Sequence, residues 1–177
     1  MKILFLDFDG VWRATGAAQM LGDIIDKQAI ALIEMAIDYS NQTSETKVVV
    51  TSTHRVGVNI SEMLSFLEDS GAKVIASSLH EDWKTKVGEE HPFGRRKEIN
   101  EWLSRHPEVE RHVIVDDDFE DLIFDIQNTG NAFDFVHIDS FNGFTFRDAI
   151  RVMCLLGVKE IPNREAAKDF VRIGRKF

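Results

Sequence analysis

Cysteine is almost absent from this chain: Cys154 is the only one in 177 residues, which excludes an internal disulfide and fits a reducing compartment. Proline is scarce, three in all. With 44% hydrophobic residues, the composition is that of a folding chain and not of a disordered one. Long apolar runs are missing too. The first, Ile3 to Leu6, is broken by Asp7 after four residues, too soon for a signal peptide or a membrane span. Basic residues are in deficit, 21 against 30 acidic ones, and the net charge of −9 offers no global pull toward phosphate polymers or anionic membranes. Any nucleic-acid contact has to be local. These absences leave one globular domain spanning residues 1–177, expected in the cytoplasm, away from membranes and with no obligate protein partner evident.

What is present alternates between short β-rich runs and longer periodic segments, the pattern of βαβ units around a mainly parallel sheet. Strands are expected at 2–6, 47–51, 73–76, 112–116 and 134–138, helices at about 23–38, 59–70, 95–105 and 146–156. A further short helix is expected at 163–176, ending in a solvated basic tail. Gly71 and Gly157 stand where helix C-caps belong. Residues 77–94 are read as a loop on the active-site side. Cys154 lies in an apolar helical pattern and is expected to be buried and inert.

Chemistry concentrates at the ends of the apolar strands, where ligands of open α/β sheets bind. The first strand runs into Asp7-Phe8-Asp9-Gly10-Val11. Carboxylates at i and i+2 of an extended chain face the same way, and two like charges ~4 Å apart repel by roughly 4 kcal/mol at an effective dielectric of 20. Such a pair needs a cation or a shared proton, and Gly10 allows a sharp turn or a close approach to a ligand. The second strand ends in Thr51-Ser52-Thr53-His54-Arg55, whose hydroxyls, amides and guanidinium suit phosphoryl oxygens. The fourth ends in Asp116-Asp117-Asp118, three adjacent carboxylates. Between them, Arg95-Arg96-Lys97 opens a helix, although cations there oppose the helix dipole. A locally unfavourable choice of that kind marks a functional position.

Taken in order, these four signals resemble the haloacid dehalogenase-like (HAD) hydrolase superfamily over nearly the whole chain. The stretches Val50 to Arg55, Arg95 to Leu103, Val113 to Asp118 and Asp139 to Thr145 are similar to the small HAD domains of RNA-repair proteins and, more distantly, to polynucleotide phosphatases. Two positions depart from that pattern: His54 replaces the usual tryptophan, and arginine replaces the usual third-motif lysine unless Lys97 serves.

The resemblance implies an α/β fold, a three-layer doubly wound and mainly parallel Rossmann-like sheet, with minimal or no cap. It implies a Mg²⁺-dependent phosphatase working through an aspartyl-phosphate. In it Asp7 is the nucleophile and Asp9 the general acid and base. Mg²⁺ is held by Asp7, the Asp9 carbonyl, and Asp116 or Asp117. Thr51 (or Ser52) and Arg95 or Arg96 hold the transferring phosphoryl group, with Gly10, Ser52 and Arg55 as substrate contacts. Trp12 and Arg13 fall where the superfamily places its mobile flap, and Arg13 is a candidate substrate contact. The remaining histidines lack ligand spacing, so no zinc site is assigned. With little room for a cap, the expected substrate is a phosphorylated nucleic-acid end or a nucleotide. The rival expectation is a non-catalytic, Mg²⁺-binding phospho-acceptor module like a response-regulator receiver, which usually carries its acidic pair after the first strand and its acceptor after the third.

Overall fold

In the computed structural model, residues 1–13, 24–86, 94–119 and 134–161 are described. Five parallel strands, β1 (Lys2–Leu6), β2 (Thr46–Val50), β3 (Leu79–Lys84), β4 (Arg111–Asp116) and β5 (Phe135–His137), form one sheet in the order β3-β2-β1-β4-β5. The helices are α1 (Lys27–Asn41), α2 (Ile60–Asp69), α3 (Lys73–Ser77), α4 (Arg95–Ser104) and α5 (Phe146–Leu155). This is the expected α/β Rossmann-like architecture.

The Val/Ile runs work as strands because both faces of the sheet are covered. Leu4, Leu6, Val48, Val50, Val113 and Val115 point to the larger core, with buried residues of α1, α2, α3 and α5. The alternate residues Ile3, Phe5, Val49 and Ile114 point to a smaller core closed by Ile99 and Trp102 of α4. Phe5 meets Trp102 edge-on, with centroids 5.4 Å apart. The helix starts are set by local capping: Asp26 accepts from the amides of Gln28 and Ala29, and Asn59/Glu62 and Thr145/Asp148 form reciprocal capping boxes. Gly71 and Gly157 follow the ends of α2 and α5 with φ of 76° and 79°.

Three local expectations are corrected. Residues 73–76 are not a strand but lie in α3, and the third strand lies within the expected loop, at Leu79–Lys84. A four-residue apolar run fits one buried helical turn as well as a strand. Strand β3 sits at the sheet edge and pairs only with β2, so it carries a polar sequence with His80 and Trp83 as its buried positions. Cys154 is exposed, because α5 turns Ala149, Val152 and Met153 inward and leaves the thiol on the outer side. The segment 163–176 lies outside the described residues, as do His91 and Pro92. Among the described residues no helix is long and apolar enough to cross a membrane.

Candidate active site

Parallel register brings the motifs together. Leu6 is level with Val50 on one side and Val115 on the other, so Thr51 and Asp116 flank Asp7 one residue further on. The amide of Asp7 donates to Val115 O, and that of Thr51 to Leu6 O, both at 3.0 Å. At this carboxyl end of the sheet a cleft of about 470 Å³ is lined by Asp7, Asp9, Thr53, Arg95, Asp117, Asp118 and Phe119.

Asp7, Asp116 and Asp117 each offer a carboxylate oxygen within 4.8 Å of the others. Arg95, the first residue of α4, pairs with Asp116 and lies 3.2 Å from Asp7. That answers why a cation opens this helix: its dipole cost is offset by two buried carboxylates. One guanidinium does not balance three acids. Burial, then the neighbouring Asp116 charge, push Asp7 up to about 7 against the pull of Arg95. Burial and Asp116 likewise raise Asp117 to about 6. Asp116 is raised by burial and held down by Arg95. Three hard oxygen donors with surplus negative charge form a donor set that fits Mg²⁺ or another oxygen-seeking divalent cation.

Asp9 has a different neighbourhood. Gly10 N donates to Arg13 O, and the amides of Val11, Trp12 and Arg13 all converge on Phe8 O, closing the chain into a tight turn. The turn separates the two aspartates: Asp9 faces Arg13, whose Nη1 donates to Asp9 Oδ1 at 3.2 Å, and His54, whose Nε2 lies 3.3 Å from Asp9 Oδ2. Arg13 and His54 also contact each other. The imidazole is held flat against Phe66, with centroids 5.5 Å apart. Arg13 therefore reaches the general acid/base candidate. Trp12, expected with it on a flap, is instead buried against Phe8 and Phe66.

Gly10 has φ 71°, and a Cβ there would stand 2.2 Å from Asp117 Oδ2. The close approach anticipated for this glycine is thus to a carboxylate of the acidic cluster. Gly10→Ala pays both the left-handed backbone penalty and the displacement of Asp117. We expect its melting temperature to fall by about 2–8 °C in a thermal unfolding scan.

The other expected site residues divide. Thr51 is fully buried and its hydroxyl finds no partner among the described residues. Ser52 is equally buried, and its side chain accepts from His54 N as the cap of a short 3₁₀ turn, Thr53–Arg55. Arg55 does not line the cleft. Its guanidinium is buried and donates to Thr85 O, Thr51 O, Ser52 O and Glu98, so it braces the second-motif loop. Arg96 is also turned away: it grips Asp134 through two hydrogen bonds of 2.8 and 3.1 Å, and His112 approaches the same carboxylate at 2.6 Å. Burial alone would raise Asp134, but these partners hold its carboxyl below the usual range. Lys97 is exposed.

Thr53 and Asp118, which line the cleft, belong to the hydroxyl and acidic runs read from the sequence but were assigned no role there. Phe119 also lines it and was not singled out; its position next to the acidic run was the only available signal. Histidine spacing also gave no hint of a second cluster. His80, His106 and Glu108 bring ligand-capable atoms within 4.8 Å at the opposite end of α4 from Arg95. There His80 Nδ1 accepts from Asp82 N, and the ring nitrogens of His106 contact Glu108 and Asp82.

No curated protein and no solved structure matches this chain. A family model does, over residues 3–149, which take in β1 through the start of α5 and every residue of the acidic cluster. The chain belongs to the family of HAD domains found in Swiss Army Knife RNA repair proteins.

Proposed function

We propose that the domain is a Mg²⁺-dependent phosphomonoesterase that works through an aspartyl-phosphate and acts on phosphorylated nucleic-acid ends or nucleotides. The observation that carries this reading is the separation of the two first-motif aspartates. Asp7 lies in a buried acidic cluster beside Arg95, while Asp9 faces the same cleft from among Arg13 and His54. The cation that the cluster could hold suits Asp7 to be the nucleophile, and Asp9, outside the cluster but on the same cleft, is left to carry a proton.

In this reading a carboxylate oxygen of Asp7 attacks phosphorus, and the ester P–O bond breaks as Asp9 delivers its proton to the leaving oxygen. Asp9, now ionised, takes a proton from the water that attacks the phosphoryl group. Inorganic phosphate leaves and the Asp7 carboxylate is restored. Arg95 and the Thr51 hydroxyl, which has no partner among the described residues, would hold the phosphoryl oxygens as charge develops on them. Mg²⁺, held by Asp7, Asp116, Asp117 and the Asp9 carbonyl, would keep Asp7 ionised at neutral pH and offset the charge of the phosphate. Arg13 and His54 hold the Asp9 carboxylate in place. The open cleft and the RNA-repair setting of the family support a bulky substrate. The net charge of −9 does not, and guidance of a polymer would fall to local groups.

The deciding experiment is a phosphatase screen with and without Mg²⁺, covering an aryl phosphate, nucleoside monophosphates and 3′- or 5′-phosphorylated oligonucleotides. Turnover restricted to the Mg²⁺ samples supports the reading. Metal binding with inactivity on every phosphate would favour a binding module instead.

The acidic cluster has a consequence for stability. An acid whose pKa is higher folded than unfolded binds more protons in the native state between those two values. For Asp7, with about 3.9 unfolded and about 7 folded, the native state therefore loses stability as pH rises through that window. Metal-free protein should melt lower at pH 8 than at pH 5, by roughly 5 °C or more. Mg²⁺ should raise the melting temperature chiefly at pH 8. An equal Mg²⁺ response at both values would contradict the assignment of these carboxylates as its ligands.

A further inference from the structure

We propose that Phe119, backed by His137, is a stacking platform for the terminal nucleobase of a phosphorylated strand end. The proposal rests on the phosphatase reading for its anchor, the terminal phosphate in the cleft. Phe119 directly follows the acidic run of β4, lines the same cleft as Asp7 and Arg95, and is 47% exposed. What sets this ring apart is its place, on the wall of the cleft with a face open to a flat group held there.

The ring is not loose. His137 of β5 lies against it with centroids 5.1 Å apart, and Phe135 lies against His137 at 5.9 Å. His137 Nε2 donates to Asp117 O at 3.1 Å, so the platform is tied to the backbone of the acidic cluster. Preorganised aromatic faces of this kind take any base, because every base has a π-face.

The wider surface agrees. Among the described residues the exposed large apolar side chains are Ile24, Val56, Ile60, Phe119 and Phe141. All five follow the carboxyl ends of strands, on the segments that lead to or begin the next element, which is the end where the cleft opens. Phe141 is 91% exposed at the tip of a turn in which Asp139 Oδ1 accepts from its amide. The next residues return to the catalytic turn, where Phe144 N donates to Val11 O at 2.7 Å. A flexible strand whose last phosphate enters the cleft would find apolar surface on this side. It would not need a basic track, which the overall charge does not provide.

Two measurements test the platform. In the first, kcat/KM is compared between a phosphorylated oligonucleotide and glycerol phosphate, which has no ring to stack. Phe119→Ala should lower the ratio of the two roughly tenfold, through KM on the oligonucleotide, and Phe119→Trp should restore it. In the second, 2-aminopurine replaces the phosphorylated terminal base. Its fluorescence should be quenched on binding by the native protein and not by Phe119→Ala. Equal losses on both substrates, or an unquenched bound terminal base, would overturn the proposal. Turnover of glycerol phosphate with no binding of oligonucleotides would overturn it too, while leaving the phosphatase intact. Phe119-dependent quenching without turnover of any phosphate would do the reverse: the platform would stand and the phosphatase reading would fall.

Discussion

Asp7→Asn should abolish turnover, with kcat lower by at least about 10⁴-fold on every phosphate ester the native domain accepts, while the protein stays folded. The substitution keeps the shape of the side chain and removes only its charge and its capacity to form an acyl phosphate. Asp7 is buried beside Asp116 and Asp117 and is raised to about 7 by that setting, so its negative charge strains the metal-free fold. Losing the charge should therefore raise the melting temperature without metal at pH 8, even though a contact with Arg95 goes with it. Arg95 keeps its pairing with Asp116. A stabilised and inactive variant cannot be dismissed as misfolded. Activity within tenfold of the native domain would sink the mechanism, since Asp116, the other carboxylate beside Arg95, serves in it as a metal ligand and not as the attacking group.

The second large effect separates two neighbouring arginines. Arg95→Ala should lower kcat/KM by about 10²–10³-fold, the usual consequence of removing one charge that faces the transferring group. Arg96→Ala should leave the chemistry far less affected and cost stability instead. It would strip two hydrogen bonds from the half-buried Asp134 carboxylate and leave that charge with His112. Breaking a fully buried pair from one side costs about 3–5 kcal/mol, and the partial exposure and the retained His112 reduce that here to about 1–3 kcal/mol. For a chain of this size that means a melting temperature lower by roughly 2–12 °C. Steady-state kinetics and thermal unfolding on both variants check this. The opposite pattern, with Arg96→Ala inactive and Arg95→Ala merely unstable, would reassign the third-motif cation.

Much of this site is legible in the sequence. Strand β1 and the Asp7-x-Asp9-Gly10 turn, the Val-rich β2 with its hydroxyl-bearing end, and β4 with its acidic end all announce themselves locally. Apolar runs in a parallel sheet are nearly continuous, and the residues that interrupt them stand out. Helix α1 is visible in its 3.6-residue period, with Ala29, Leu32, Ile33 and Ala36 on its buried face, but Ile24 and Ile25, expected on that face, precede the Asp26 cap, and Ile24 is exposed. The third strand was misplaced because an edge strand has little apolar requirement. Cys154 was misplaced because one residue along a helix turns a side chain by 100°.

The chain's own order of residues determined which chemistry could be assembled: two aspartates at one strand end, hydroxyls at a second, acids at a third, a cation between. Those are local facts, set by β-propensity and by the intolerance of a buried strand for charge. Only the tertiary structure decided which atoms meet. The register of β1 with β2 and β4 set Asp7 between Thr51 and Asp116. The rotation of α4 gave Arg95 to the cleft and Arg96 to Asp134, although they are adjacent in the chain. Packing turned Arg55 into a buried brace, set Gly10 against Asp117 and left Phe119 open at the rim. Burial and charge at a site are sums over distant segments, and no window of sequence contains them.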